Sequence, residues 1–392
     1  MGIKVERADR IKNLPPYLFA AVDQKKLEAL SRGVDVIDLG VGDPVEPTPR
    51  HIIDKLCEVA YDRANHRYPS YAGMMDFRAA IARWYEKKAG VKLDPETQVL
   101  ALIGAKEGIG HTPFAFIDPG DIVLVPDPGY PVYRNCTLLA GGKPVPMPLL
   151  EENRFLPDLA AIDAHVGDKV KLMFLNYPNN PTGATATVEF FNEVVEFARS
   201  HNIIVCHDAP YLELVFGGYQ APSFLQAEGA LEVGIEFYSF SKAYNMTGWR
   251  LGSAVGNEDV IAGLQRVKSN LDSGVFQAIQ LAGIQALEGS QDCIARQNAI
   301  YQERRDILVE GLYGMGLQVE PPKATCYVWC RVPAGFSSAG FAAELIETIG
   351  VVVTPGSGFG ENGEGYIRLS LTVETDRLKE AVRRMKTIKF DV

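Results

Sequence analysis

Five short and almost entirely apolar runs recur through the middle of the chain, and they restrict its possible folds more than any other feature. Such runs are typical of strands that are buried on both faces of a largely parallel sheet. Helical patterns separate several of them, for example at residues 188–201. The sequence therefore predicts an α/β fold with a mostly parallel sheet flanked by helices. The runs cover residues 99–103, 122–125, 171–175, 203–207 and 235–240.

The length of the chain points to more than one domain. Its 392 residues exceed what one ordinary hydrophobic core holds. Residues 14–32 have the spacing of an amphipathic helix and look like an N-terminal arm, and residues 366–371 alternate as a strand. We predict a large domain over residues 52–290 and a smaller α+β domain. The smaller one would combine residues 1–51, including the arm, with residues 291–392.

Composition and charge argue against several classes of protein. Charged residues crowd the first twelve positions and leave no room for the apolar segment of a signal peptide. No run approaches the roughly 18 apolar residues of a membrane span, so we predict a cytoplasmic protein that does not bind membranes. A formal net charge of −10 argues against nucleic-acid binding, which needs a basic surface. The six cysteines are scattered, so we expect reduced thiols and no metal site.

Polar, turn-forming residues follow each of the five apolar runs. Ligands of open α/β sheets bind beyond the carboxyl ends of the strands, so we expect these residues to share a crevice. They are 104–107 (Gly-Ala-Lys-Glu), 127–130 (Asp-Pro-Gly-Tyr), 176–183 (Asn-Tyr-Pro-Asn-Asn-Pro-Thr-Gly), 208–211 (Asp-Ala-Pro-Tyr) and 239–242 (Ser-Phe-Ser-Lys).

Lys242 carries the amine of the last of these segments. An amine in a partly apolar pocket near another cation loses its proton more easily and can form a Schiff base with an aldehyde. Ser239, Ser241 and Arg250 could hold a phosphate beside it. Two other interpretations remain open: a surface lysine after a buried strand, and the Ser-x-x-Lys nucleophile of an acyl hydrolase of the penicillin-binding type.

Four other sites permit both a ligand-binding and a structural interpretation. Residues 104–106 open a helix whose N–H groups could bind a phosphate. Asp208 could pair with a pyridinium nitrogen or form a structural salt bridge. Asn180 lies in a rigid turn where an amide could donate to a phenolate oxygen. Arg368 could be exposed, or could clamp a carboxylate through two hydrogen bonds.

Taken in order along the chain, these motifs resemble the class I/II aminotransferases, which are pyridoxal-phosphate enzymes of fold type I. The resemblance covers essentially the whole chain. It implies pyridoxal 5'-phosphate as the cofactor, transfer of an amino group between an amino acid and a 2-oxo acid, and a homodimer with shared active sites. The motifs are Tyr-Pro-Asn-Asn-Pro-Thr-Gly, Asp208 with Tyr211, Ser-Phe-Ser-Lys followed by Gly-Trp-Arg, and the late Tyr-Ile-Arg-Leu-Ser.

The resemblance also implies a role for individual residues. Lys242 would form the Schiff base and move the proton between the substrate Cα and the cofactor, and Arg368 would bind the substrate α-carboxylate. The remaining cofactor contacts would be Asp208 with the pyridine nitrogen, Asn180 and Tyr211 with the phenolic oxygen, Tyr130 with the ring face, and Ala105, Lys106, Ser239, Ser241, Arg250 and a second subunit's Tyr68 with the phosphate.

Within the family the chain looks most like the LL-diaminopimelate aminotransferases of lysine biosynthesis. The similarity rests on the early Pro-Pro-Tyr-Leu-Phe, the Leu-Gly-Val-Gly-Asp-Pro turn and Lys106. Tyr71 departs from the plant-type enzyme, which has a glutamate there that helps to recognise the distal amino group. An alanine, aspartate or aromatic aminotransferase therefore remains an alternative. The implied substrate contacts are Tyr17, Gly42, Lys106, Tyr130, Asn180, Asn270 and Arg368.

Two other classes of protein match part of the sequence. A Ser-x-x-Lys acyl hydrolase would also carry Ser-Asp-Asn and Lys-Thr-Gly, and neither tripeptide occurs in the sequence. A non-catalytic binding protein with the same fold would not need Lys242, Asp208 and Arg368 together. Both are disfavoured.

Overall fold

The computed structural model describes residues 2–15, 18–163 and 169–388. Within these ranges the strands are β1 (Ile37–Asp38), β2 (Val99–Leu102), β3 (Ile122–Asp127), β4 (Lys143–Pro148), β5 (Val170–Leu175), β6 (Ile204–Asp208), β7 (Gly234–Ser239), β8 (Gly252–Gly256), β9 (Tyr327–Arg331), β10 (Val351–Val352), β11 (Thr354–Pro355) and β12 (Tyr366–Ser370).

The helices are numbered in the same way. They are α1 (Asp9–Lys12), α2 (Leu18–Ser31), α3 (Arg50–Ala60), α4 (Met75–Ala89), α5 (Ala105–Phe116), α6 (Val132–Ala140), α7 (Leu159–Asp163), α8 (Val188–His201), α9 (Ala230–Val233), α10 (Phe240–Ala243), α11 (Glu258–Leu271), α12 (Gln277–Glu288), α13 (Asp292–Gly314), α14 (Ser338–Ile349) and α15 (Thr375–Met385).

The largest sheet has seven strands in the order β2-β8-β7-β6-β5-β3-β4. All neighbouring pairs are parallel except the two made by β8, which runs antiparallel to both β2 and β7. The predicted α/β fold with a mostly parallel sheet is confirmed. Two of its strands, β4 and β8, were not recognised in the sequence.

Both faces of this sheet are buried except at the edge strand β4, which explains the unbroken apolar runs. In β2, Val99 and Ala101 contact the core that includes α4, α8 and α12. The intervening Leu100 and Leu102 contact a second core, formed with α5, α6 and α11. Side chains alternate along a strand, so burial on both sides requires apolar residues at every position.

A separate core gathers residues from both ends of the chain. It includes Ile37 and Leu39 together with side chains of α13, α14, α15, β9 and β12. An antiparallel sheet in the order β11-β12-β9 and the parallel pair β1-β10 belong to this part. Three side chains from the predicted large domain, Tyr211, Leu214 and Phe216, also enter this core. No helix within the described residues is long and apolar enough to cross a membrane.

Candidate active site

A crevice of about 480 Å³ lies where β5, β6 and β7 end and where the small sheet faces them. It collects most of the site residues that were predicted from the sequence. Those lining it are Gly42, Ala105, Lys106, Tyr130, Asn180, Asp208, Tyr211, Ser239, Ser241, Lys242, Arg250 and Arg368.

Two predicted residues that the structure describes are not among those lining the crevice. Tyr68 is 88% exposed on the turn before α4, and Asn270 is exposed near the end of α11, where its amide donates to Arg266 O at 2.7 Å. Neither contributes to the crevice of its own chain. Tyr17 lies outside the described residues. The roles assigned to these three side chains remain predictions.

Lys242 enters the crevice from α10, directly after β7. Its ammonium nitrogen donates a hydrogen bond to the backbone oxygen of Gly42. Burial lowers the pKa of the Lys242 amine; nearby Asp43 opposes the shift, and Arg368 and Arg250 add to it. Since the lower pKa increases the fraction of neutral amine, this lysine is suited to act as a nucleophile and as a base.

Gly42 has no room for a side chain, because Tyr327 packs against it. A Cβ at this position would lie 1.9 Å from the Tyr327 hydroxyl oxygen. The same hydroxyl is 3.5 Å from that of Tyr211, and the Tyr327 ring lies 4.1 Å below the Arg368 guanidinium. Sequence reasoning missed Tyr327 as a site residue. Its register opposite Ser370 places it on the same face of the small sheet as Arg368, and only the strand pairing reveals this.

Asp208 ends β6 and is 5% exposed. Burial raises the pKa of Asp208 to about 6, although a hydrogen bond of 2.7 Å from the Tyr133 hydroxyl opposes the shift. A cationic ligand group would restore the charged carboxylate, because an opposite charge favours ionisation. Tyr133, on α6, was also missed in the sequence; its position one helical turn after Tyr130 is the signal that could have identified it.

A fully buried network holds the ends of β5 and β6 together behind the crevice. The His207 Nε2 accepts from Tyr177 N at 3.1 Å, so its Nδ1 carries the proton and donates to Glu236 at 2.8 Å. With four donors to its oxygens, the buried Glu236 carboxylate is well compensated. The other three donors are the Tyr85 hydroxyl at 2.8 Å, the Ser223 hydroxyl at 2.9 Å and the Phe224 N–H at 2.8 Å.

Arg368 is 2% exposed and reaches from β12 to the turn after β5. Its guanidinium donates to Asn180 Oδ1 at 2.7 Å and to Gly40 O at 2.6 Å. A guanidinium can only donate, so the Asn180 side chain must present its oxygen to Arg368 and its NH₂ group elsewhere. That orientation leaves the amide able to donate to a ligand oxygen.

The N-terminus of α5 and three side chains form a concave, positively polarised corner of the crevice. Gly104 precedes the helix with φ of 77°, and a Cβ there would lie 2.4 Å from a guanidinium nitrogen of Arg250. Ser239 accepts from Ser241 N at 3.2 Å and starts α10 beside them. Backbone N–H groups such as that of Ala105, hydroxyls and a guanidinium are the groups that bind phosphate.

Lys268 stabilises this corner from the side that faces away from the crevice. Its fully buried ammonium contacts both Glu107 oxygens at 3.1 Å and Asp272 Oδ1 at 2.8 Å. Glu107 also accepts from Ile103 N at 2.5 Å, which fixes the turn between β2 and α5. Together with His111, these carboxylates bring potential metal-ligand atoms within 4.8 Å of one another. Lys268 already supplies a positive charge there, so we read the cluster as structural.

This combination of fold and crevice is that of the class I and II aminotransferases. The chain belongs to this family: the family model described as aminotransferase class I and II matches residues 34–385. It is 58% identical over 384 residues to the LL-diaminopimelate aminotransferase of Syntrophobacter fumaroxidans, covering 98% of this chain and 99% of that protein. The LL-diaminopimelate aminotransferase of Aquifex aeolicus is 52% identical over 385 residues, covering 98% and 100%. The substrate-bound structure of BacF from Bacillus subtilis has a TM-score of 0.93 at 40% identity, covering 98% of each chain.

Replacing Gly42 by alanine should lower kcat/KM for amino transfer about a hundredfold. The new methyl group collides with Tyr327 and displaces the carbonyl that holds Lys242, and a shift of about 1 Å at a reacting group costs this much. Steady-state kinetics on the purified variant measures it. Gly110→Ala on α5 is the matched control, because a Cβ there meets nothing within 4 Å. Unchanged kinetics for Gly42→Ala would contradict this account.

Proposed function

We propose that this aminotransferase uses pyridoxal 5'-phosphate to move an amino group between LL-diaminopimelate and 2-oxoglutarate in lysine biosynthesis. The observation that carries the proposal is the crevice, where Lys242, Asp208 and Arg368 face one space and hydrogen-bond to uncharged groups. The relatives at 58% and 52% identity, both named LL-diaminopimelate aminotransferase, support the choice of substrate.

The crevice residues fit pyridoxal phosphate. Asp208, whose pKa is raised to about 6, would hold a protonated pyridine nitrogen. The Asn180 amide, oriented by Arg368, and the Tyr211 hydroxyl would donate to the phenolic oxygen. Tyr130 would lie against the ring. The corner formed by Ala105, Lys106, Ser239, Ser241 and Arg250 would hold the phosphate.

When bound, the group supplies an aldehyde carbon and an electron-withdrawing ring that acidifies the substrate Cα–H. In the absence of substrate, Lys242 would hold that carbon through its amine, and the amino group of the substrate would then replace the lysine there. The amine so released, made less basic by burial, would remove and return a proton at the substrate Cα. The Gly42 carbonyl keeps the amine in the crevice by accepting its hydrogen bond. Arg368 would bind the α-carboxylate and so present the Cα–H to Lys242.

Tyr71 is the residue that favours a substrate other than LL-diaminopimelate. Its side chain is 46% exposed and carries no charge that could bind a distal ammonium group. An alanine, aspartate or aromatic amino acid has no such group. These three donors therefore belong in any test of the substrate.

We also propose a homodimer. Gly274 packs against the backbone of Ser70 and Tyr71. This contact brings the segment before α4 next to the segment between α11 and α12, and several large exposed side chains lie on these two segments or directly beside them. A second copy covering this surface would remove these apolar groups from water. It would also bring Tyr68 and Asn270 toward the partner's crevice. The exposed side chains are Tyr68 (88%), Tyr71 (46%), Leu271 (62%) and Phe276 (42%).

Two further predictions from the sequence are kept as proposals. The chain would be divided into a large domain over residues 52–290 and a smaller domain from residues 1–51 and 291–392. Two of the cores described above lie almost wholly within residues 52–290, and the third draws mainly on both ends of the chain. The location would be cytoplasmic.

A screen of amino donors and acceptors tests the substrate. We expect the highest kcat/KM for LL-diaminopimelate with 2-oxoglutarate, compared with alanine, aspartate and phenylalanine. Lys242→Ala should reduce turnover at least about a thousandfold, because it removes the nucleophile and the base together. A higher kcat/KM for one of the other donors would reject LL-diaminopimelate, and wild-type turnover by Lys242→Ala would reject the mechanism.

Arg368→Lys should raise KM for both the amino acid and the 2-oxo acid at least about tenfold. Lysine keeps the charge but cannot form two parallel hydrogen bonds to a carboxylate or hold Asn180 in the same way. Initial-rate kinetics with each substrate varied in turn measures both constants. An effect on one substrate alone would contradict the assignment, because both carry an α-carboxylate.

The homodimer predicts a molecular mass near twice 42.9 kDa by light scattering. Leu271→Asp should shift the population toward monomer, because it places a charge in the apolar contact. Tyr61→Asp, at another exposed aromatic, is the control that should leave the mass unchanged. A monomeric wild-type protein at micromolar concentration would reject the proposal.

A further inference from the structure

The crevice contains more charges than the proposed cofactor and the α-carboxylate require. Lys242, Asp208, Arg250 and Arg368 have partners in those two groups. Lys106 would contribute its backbone N–H, in the first turn of α5, to the phosphate corner, which leaves its ammonium group for another ligand group. Asp23 and Asp43 also line the crevice. A site for glutamate or 2-oxoglutarate needs one additional cation, for the distal carboxylate, and no additional anion. The two remaining carboxylates point to a substrate with a second ammonium group.

Asp23 reaches the crevice from α2, which is fixed in place by contacts near its middle. Lys26, one turn further along the same face, forms an ion pair of 2.6 Å with Asp38. The other Asp38 oxygen accepts from Gly40 N at 2.8 Å, and the Gly40 carbonyl accepts from Arg368. The helix that carries Asp23 is therefore connected to the segment that positions the carboxylate-binding arginine.

The later part of α2 is anchored by apolar packing as well. Ala29 is fully buried and shares a small core with Ile346 of α14 and Val352 of β10. Asp23 is exposed, and within the described residues it forms no ion pair and no hydrogen bond. Its carboxylate is thus held at the crevice by a docked helix while remaining available to a ligand.

The two acidic residues are not equivalent. Asp43 directly follows Gly42, whose carbonyl holds Lys242, and its charge raises the pKa of that amine. It therefore affects Lys242 whatever substrate is bound. Asp23 belongs to a different element, and within the described residues it forms no hydrogen bond or ion pair with the lysine or its partners. A carboxylate of this kind can distinguish substrates by their distal groups.

We infer that Asp23 binds the distal ammonium group of LL-diaminopimelate and thereby selects it over substrates with a distal carboxylate alone. The inference rests on the proposed function. Lys106 would contact the distal carboxylate of LL-diaminopimelate, glutamate and 2-oxoglutarate alike. Asp23 would contribute to binding of the one substrate that has two amino groups.

The test compares Asp23→Asn with the wild-type holoenzyme on three donors: LL-diaminopimelate, 2-aminopimelate and glutamate. 2-Aminopimelate has the same carbon chain and both carboxylates but lacks the distal amino group. KM for LL-diaminopimelate should rise about tenfold, as expected for loss of a charge-assisted hydrogen bond. KM for 2-aminopimelate and for glutamate should stay within about twofold. Asp23→Glu should restore most of the selectivity, because it restores the charge.

Glu28→Gln is the matched control for a general change in charge. Glu28 is exposed on the same helix, bonds to Gln24 and does not line the crevice, so its loss should change no donor's KM. Equal effects of Asp23→Asn on all three donors, or none on LL-diaminopimelate, would overturn the role of Asp23 while leaving the proposed function standing. A wild-type enzyme that uses glutamate but not LL-diaminopimelate would overturn the proposed function and this inference with it.

Discussion

The hydrogen bond from Arg368 to Asn180 joins the parts of the molecule that must meet for a site to exist. Arg368 belongs to the small antiparallel sheet and Asn180 to the turn after β5 of the large one. The Gly40 carbonyl, from the segment after β1, accepts from the same guanidinium. Since the guanidinium can only donate, the contact fixes which end of the Asn180 amide is left for a ligand. Carboxylate recognition and ring recognition thus depend on one interaction.

Several buried charges among the described residues differ in the kind of partner they have. Lys268 lies between Glu107 and Asp272, and buried Arg304 forms an ion pair of 2.6 Å with Glu46. Lys242, Asp208 and Arg368 instead bond to carbonyl, hydroxyl and amide groups. A buried charge that bonds to neutral groups can still gain from an ion of opposite sign, whereas a charge in a close ion pair gains less. Glu236 is also buried among neutral donors, but it does not line the crevice. Neutral partners together with access to the crevice therefore mark the ligand-binding charges.

Sequence reasoning succeeded where structure is determined locally. Helix α8 has the predicted bounds because Thr187 caps its start and Asn202, at φ of 54°, ends it. Sequence reasoning failed where pairing with neighbouring elements determines the structure. The sequence of β8, Gly-Ser-Ala-Val-Gly, shows no apolar run, and this strand exists because β2 and β7 pair with it on both sides. Tyr133 and Tyr327 enter the crevice through helix position and strand register, and neither belongs to a motif. The fold and most crevice residues were therefore predictable, but the groups that orient them were not.

Gly42 contributes to the crevice through an atom that every amino acid possesses. The acceptor for Lys242 is a main-chain oxygen, so no substitution can delete it, and the packing of Tyr327 excludes any larger residue. Variation in this segment is thereby directed to the flanking side chains of Val41 and Asp43, which also line the crevice. Of these two, Asp43 raises the pKa of the amine, so only Val41 is separate from the chemistry of the lysine. Homologous enzymes can change what they bind by altering Val41 while the contact to the amine stays the same.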